Sequence, residues 1–240
     1  HWLRHAHSIL GNTDQVIRYG ELELEIAQSS NDLEHTGYAQ YGLTYGYALA
    51  GRFGDAKSAA DASDDCLTRT QSSLKAIAFS ERGFLHLQEG DYAAARNVLR
   101  QALILMRQRM AYIEITTYVY PRIIEAMLGP TWADGAGVDR RALRSAKRYL
   151  WQARLCSLVF PNLRTQVARV LARVAFAKGR VAKARALFEK AIREAEIREA
   201  RYELARACHD YATAFPELSD QRQRALQILE EIGAVLPAAD

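Results

Sequence analysis

From Arg140 to Phe188 the chain carries 13 lysines and arginines and no aspartate or glutamate. Such a stripe can meet an acidic protein surface, an acidic neighbouring domain or nucleic acid, and its bland alternative is a solvated, salt-screened face. Arg169 and Arg173 stand out within it, because a four-residue step puts both on one helix face with few local carboxylates to compete for them. Nucleic acid is the weaker partner: no reader motif is recognisable, and Tyr149, Trp151 and Phe160 fall at a helix spacing that suits packing rather than base stacking. Tyr38, Tyr41 and Tyr45 form a second candidate surface. Their three- and four-residue steps align three hydroxyls along one helix face and offer broad contact area with a polar tip. The other reading of these rings is filler between successive helical hairpins.

Reactive constellations are missing. The sequence holds no G-x-x-x-x-G-K-[ST], no G-x-G-x-x-G and no H-E-x-x-H. Glu21, Glu23 and Glu25, like Asp64 and Asp65, have no His or Ser at a useful spacing and read as solvated faces. Cys66, Cys156 and Cys208 are scattered, with no C-x-x-C pair and no zinc spacing, and read as small buried hydrophobes in a reducing compartment. His1, His5 and His7 sit at an end that reads as frayed. The expectation is therefore a non-catalytic protein that uses no metal and no cofactor.

The elements that must position these residues are helices. Gly51-Arg52-Phe53 with Ala56, Ala60 and Ser63, Gly90-Asp91-Tyr92 with Ala95, Leu99 and Ala102, and Gly179-Arg180-Val181 with Ala184, Phe188 and Ala191 can be laid on one another. Each reads as a helix stop at a left-handed glycine, then a helix with small, large and small residues on one face. Ala56, Ala95, Ala146, Ala184 and Ala225 recur at intervals of 39, 51, 38 and 41 residues, a period near 40 with one long step. This predicts helices over 13–30, 33–50, 54–70, 72–89, 92–109, 111–128, 139–159, 163–178, 181–197, 199–215 and 219–235, in five complete hairpins and one truncated at its first helix. Pro121 should kink or break its helix. The Gly- and Pro-rich stretch 129–138 reads as an exposed loop inserted between the helices of the fourth hairpin. The fold class is all-α: an α-solenoid of about five and a half antiparallel hairpins, with 1–240 as one repeat domain.

The pattern resembles the tetratricopeptide repeat. The third hairpin matches best, through Phe79, Gly83, Tyr92, Ala95, Leu99 and Ala102, with Arg82 and His86 departing from the usual leucine and aromatic. Leu43, Tyr47, Phe53 and Ala56 match in the second hairpin, where Thr44 and Ala60 depart, and Leu171, Ala172, Ala184, Phe188 and Ala191 match in the fifth. The resemblance implies a superhelix whose concave groove carries Tyr38, Tyr41, Tyr45, Arg169 and Arg173. The lysines and asparagines with which chaperone-binding members clamp a carboxylate are missing. Long, degenerate repeats of this kind are similar to the helical regions that follow the ATPase module in bacterial multidomain signalling proteins, especially in the closing stretches 200–206 and 225–234.

At 49% hydrophobic and 25% charged, the 240 residues have the composition of an ordered protein. The net charge of +4 is lopsided, at −4 over residues 1–100 and +8 over the rest. No apolar run approaches a membrane span and no secretory signal precedes the helices, so the expectation is a cytoplasmic segment of a longer polypeptide. Its expected work is protein–protein interaction and regulation within a signalling ATPase, cyclase or kinase. The partner is a protein or peptide, an acidic one among them, or neighbouring domains of the same polypeptide, with no membrane. The alternative is a groove of a transcription regulator that senses a peptide or small inducer.

Overall fold

The structure is a computed structural model that describes residues 2–108, 113–133 and 140–237. It is all-α. The helices run α1 Trp2–Leu10, α2 Thr13–Ser29, α3 Leu33–Leu49, α4 Phe53–Arg69, α5 Lys75–Gln88, α6 Tyr92–Gln108, α7 Glu114–Thr117, α8 Val119–Leu128, α9 Arg140–Val159, α10 Arg164–Ala177, α11 Val181–Ile197, α12 Arg201–Ala214 and α13 Ser219–Ile232. Single 3-10 turns occupy Pro130–Ala133 and Pro161–Leu163, and no strand occurs among the described residues.

The α3–α4 and α10–α11 hairpins are closed by the same local chemistry. Gly51, at φ 71°, takes the left-handed conformation that only glycine adopts without strain, and the Arg52 amide then donates to the Tyr47 carbonyl at 2.9 Å. The Arg180 amide bonds the Ala175 carbonyl in the same way, also at 2.9 Å. Between hairpins the reversal is made at Asn31, Gln71 and Glu199, all at positive φ without being glycine. Asp32 then caps α3 by accepting from the His35 amide at 2.9 Å. Beyond the turns, small residues let the helices touch: Ala56, Ala95, Ala146, Ala184 and Ala225 are fully buried, and a Cβ on Gly83 would fall 2.5 Å from Leu99.

Residues 2–10 correct the frayed reading of His5 and His7. They form α1, whose turn at Gly11 (φ 78°) hands over to α2, so the hairpin expected to be truncated has its first helix; His1 lies outside the described residues. Pro121 acts as expected, for the helix breaks at Tyr118, one turn before it. The 129–138 segment departs from an exposed loop. Its first part is a 3-10 turn that buries Trp132 against Phe176 and Phe188, with ring centroids 6.0 Å away in both cases, while 134–138 lie outside the described residues.

Helices pack on their sequence neighbours, and the two ends of the array also meet. α1 rests on α12, and the tail after α13 adds a bond from the Val235 amide to the Leu49 carbonyl at 2.8 Å. Gln88 donates to the Val235 carbonyl at 3.3 Å. The first helices of the hairpins consequently surround one interior, where the charged residues converge.

Candidate functional site

Arg169 and Arg173 lie at that interior and not on a surface. They are only 1% and 8% exposed, which corrects the expectation of a solvent-facing basic contact. The physical reason is pairing across the fold. Arg169 donates to Asp210 at 2.9 Å and to Glu125 at 2.8 Å, and Arg173 grips both oxygens of Asp210, from Nε at 2.6 Å and Nη2 at 2.5 Å. Arg173 also reaches Glu125 at 3.3 Å and stacks its guanidinium 4.8 Å from the centre of the Trp132 ring. Arg206 completes the cluster on Glu125, and Glu203 stands 3.7 Å from both Arg169 and Arg206. Burial alone would raise the Glu125 and Asp210 carboxyls, but the arginines outweigh it and hold both below the usual range. Three cations therefore face three anions, and the interior is close to neutral.

Beside this cluster, Arg122 holds Glu81 with two bonds of 2.9 Å and donates to the Ser80 carbonyl at 3.0 Å and to its hydroxyl at 2.8 Å. Arg4, from α1, donates to Glu23 at 2.9 Å and lies 5.1 Å from the centre of the Tyr41 ring. Glu23 and Asp64 thus depart from solvated faces: Glu23 anchors Arg4, and Asp64 sits 2.9 Å from Arg82, the residue that replaces the usual leucine. The spacing of charged residues on the first helices was a legible signal for much of this. Arg169 with Arg173 and Arg206 with Asp210 each stand four apart, and Arg122 stands three from Glu125.

The three tyrosines share an element but no common surface. Tyr41 is buried, and Tyr38 and Tyr45 are half-buried. Tyr38 donates to Glu34 at 2.6 Å, and burial together with that bond pushes its hydroxyl up to about 12. Tyr45 packs on Phe84, with ring centroids 5.0 Å apart. Tyr41 and Tyr45 come together at a cavity of about 60 Å³ that residues of α1, α3, α5, α8, α10 and α12 line. That volume suits about four water molecules rather than an organic ligand. The Tyr202 hydroxyl and one Glu203 carboxylate oxygen point there without a hydrogen-bond partner, and burial pushes the Tyr202 hydroxyl up to about 12.

The serine that lines the cavity is engaged by its own helix. Ser8 donates its hydroxyl to the His5 carbonyl at 2.7 Å and not to the imidazole. Outside the cavity, burial pushes the Cys208 thiol up to about 11, away from thiolate reactivity. Among the described residues no group of three or more His, Cys, Asp or Glu is placed to hold a metal, and no helix is long and apolar enough to cross a membrane.

No family model matches the chain, and no curated protein matches it by sequence. Among solved structures, BtubC (BKLC) from P. vanneervenii superposes with a TM-score of 0.59 over 95% of this chain and 95% of that one, at 14% sequence identity. At that identity the likeness is one of fold alone.

Proposed function

We propose that the chain is a tetratricopeptide-like α-solenoid that serves as a non-catalytic interaction and regulatory module of a larger cytoplasmic signalling protein of the ATPase, cyclase or kinase type. The observation that carries this reading is the interior ion cluster. Arg169, Arg173 and Arg206 are committed to Glu125 and Asp210, so the charges that converge there hold the hairpins together and none is poised as acid, base or nucleophile. A stack of hairpins tied at its centre is a stiff platform, and its partners meet its outer surface. The sensor alternative, taken as a ligand held at the interior, is the weaker reading, because the cavity there, about 60 Å³, is sized for waters rather than for a peptide or an organic inducer.

Capture of proteins from an extract of the source cells on the immobilised chain tests the reading. A reproducible set of proteins held by the folded chain, and not by the same chain denatured, is the expected result. An empty set would remove it.

A further inference from the structure

α9 carries two apolar rows. Leu143, Ala146, Leu150 and Ala153 are buried against the core. A second row, Trp151, Leu155 and Leu158, follows helical spacing on another face and stands 63%, 43% and 72% exposed. A helix that packs through one face needs only one such row. The second row forms one wall of a groove of about 400 Å³, whose floor is completed by Leu171 of α10 and Leu187 of α11.

The rim of this groove is basic. Arg154, Arg164 and Lys190 line it, and the sequence of α9 contains no acidic residue. Among the described residues Arg154 and Lys190 make no ion pair. Glu189, beside Lys190, instead accepts from the Tyr211 hydroxyl at 3.2 Å. The Arg164 Nε donates to the Ser157 carbonyl at 3.2 Å, which fixes that side chain at the end of α9.

We propose that this groove docks an acidic amphipathic helix of a partner protein, an inference that rests on the interaction-module reading and deepens it. The partner's apolar residues at i, i+3 or i+4 and i+7 fill the leucine floor around Trp151, and its flanking carboxylates meet Arg154, Arg164 and Lys190. A second copy of this chain docked through the same face would set basic rim against basic rim. Nucleic acid phosphates would satisfy the rim but leave the leucine floor uncovered.

The test is fluorescence anisotropy of a dye-labelled helical peptide with leucines at those spacings and glutamates on both flanks, beside a matched peptide with lysine flanks. The acidic peptide alone is expected to bind, more weakly as salt shortens the screening length of about 8 Å. Its Kd is expected to rise about tenfold or more in Arg154→Glu/Lys190→Glu and again in Leu158→Gln. All three side chains are exposed, so thermal melts should match the parent; Arg154→Gln/Lys190→Gln serves as the milder variant if they do not. Equal binding of the two peptides, an unchanged Kd in the variants, displacement of the acidic peptide by a short DNA duplex, or self-association through this face in sedimentation would each overturn the inference. If Arg154→Glu/Lys190→Glu captures the same proteins as the parent chain, the groove assignment fails and the interaction-module reading stands. If the acidic peptide binds and no protein is captured, the groove stands and the module reading fails.

Discussion

The guanidinium of Arg4 occupies the space that a side chain on Gly42 would need: a Cβ built there would fall 2.1 Å from the Arg4 Cζ. α1 is thereby pinned into the interior by one long side chain entering over one residue without a side chain. Arg4 is 5% exposed and bonded to Glu23, so it has little room to move aside.

Gly42→Ala should therefore destabilise the protein by about 1–3 kcal/mol. In an Arg4→Ala background the sign should reverse, because a helical alanine is then about 0.5–1 kcal/mol better than glycine. Urea denaturation of the four proteins of this cycle checks it. Additive effects would show that the two residues do not compete for the same space.

Glu125 takes two arginines at hydrogen-bond distances of 2.8 and 3.3 Å and a third through Arg206. Removing its charge leaves buried cations uncompensated, so Glu125→Gln should cost about 3–5 kcal/mol. Arg169→Glu/Arg173→Glu should be at least as damaging, whereas an exposed pair would tolerate reversal. Denaturation midpoints near that of the parent chain would show that the cluster is not closed as described.

Trp132 is 4% exposed and fills the space between Phe176 and Phe188 beneath the Arg173 guanidinium. Trp132→Ala should cost about 3–5 kcal/mol, as expected for an aromatic removed from a core. Differential scanning calorimetry reads this directly, and an unchanged melting temperature would return 129–133 to a dispensable loop.

Stability should fall on acidification in two stages. His5, His86 and His209 have pKa values lowered from 6.5, chiefly by burial, so the unfolded chain binds protons more readily as pH drops through 6.5. Glu125 and Asp210 are held below their ordinary 4.5 and 3.8; their contribution is full above those values and is lost as pH falls toward the folded ones. Urea midpoints measured from neutral to acid pH should show a shallow loss below about 6.5 and a steeper one below about 4.5. A midpoint that rises on acidification would contradict both assignments.

The sequence by itself determined the helices and their turns, because those depend on neighbours only a few residues away. A left-handed glycine at position 51, the small residues at 56, 95 and 184, and Pro121 acting one turn upstream at Tyr118 are all local statements. α1 escaped it for the converse reason. Nine residues form a marginal helix in water, and these hold theirs by docking Arg4 against a segment 38 residues away.

Only the tertiary structure decided what the charges do. The stretch from Arg140 to Phe188 is free of acid along the chain, yet Arg169 and Arg173 meet carboxylates 37 to 48 residues distant, supplied by α8 and α12. Coulomb attraction acts through space, and a local count of charges cannot tell a solvated stripe from half of a buried cluster. The same holds for α9, whose two apolar rows are both plain in sequence, while which row the core would take was settled by the helices packed against it.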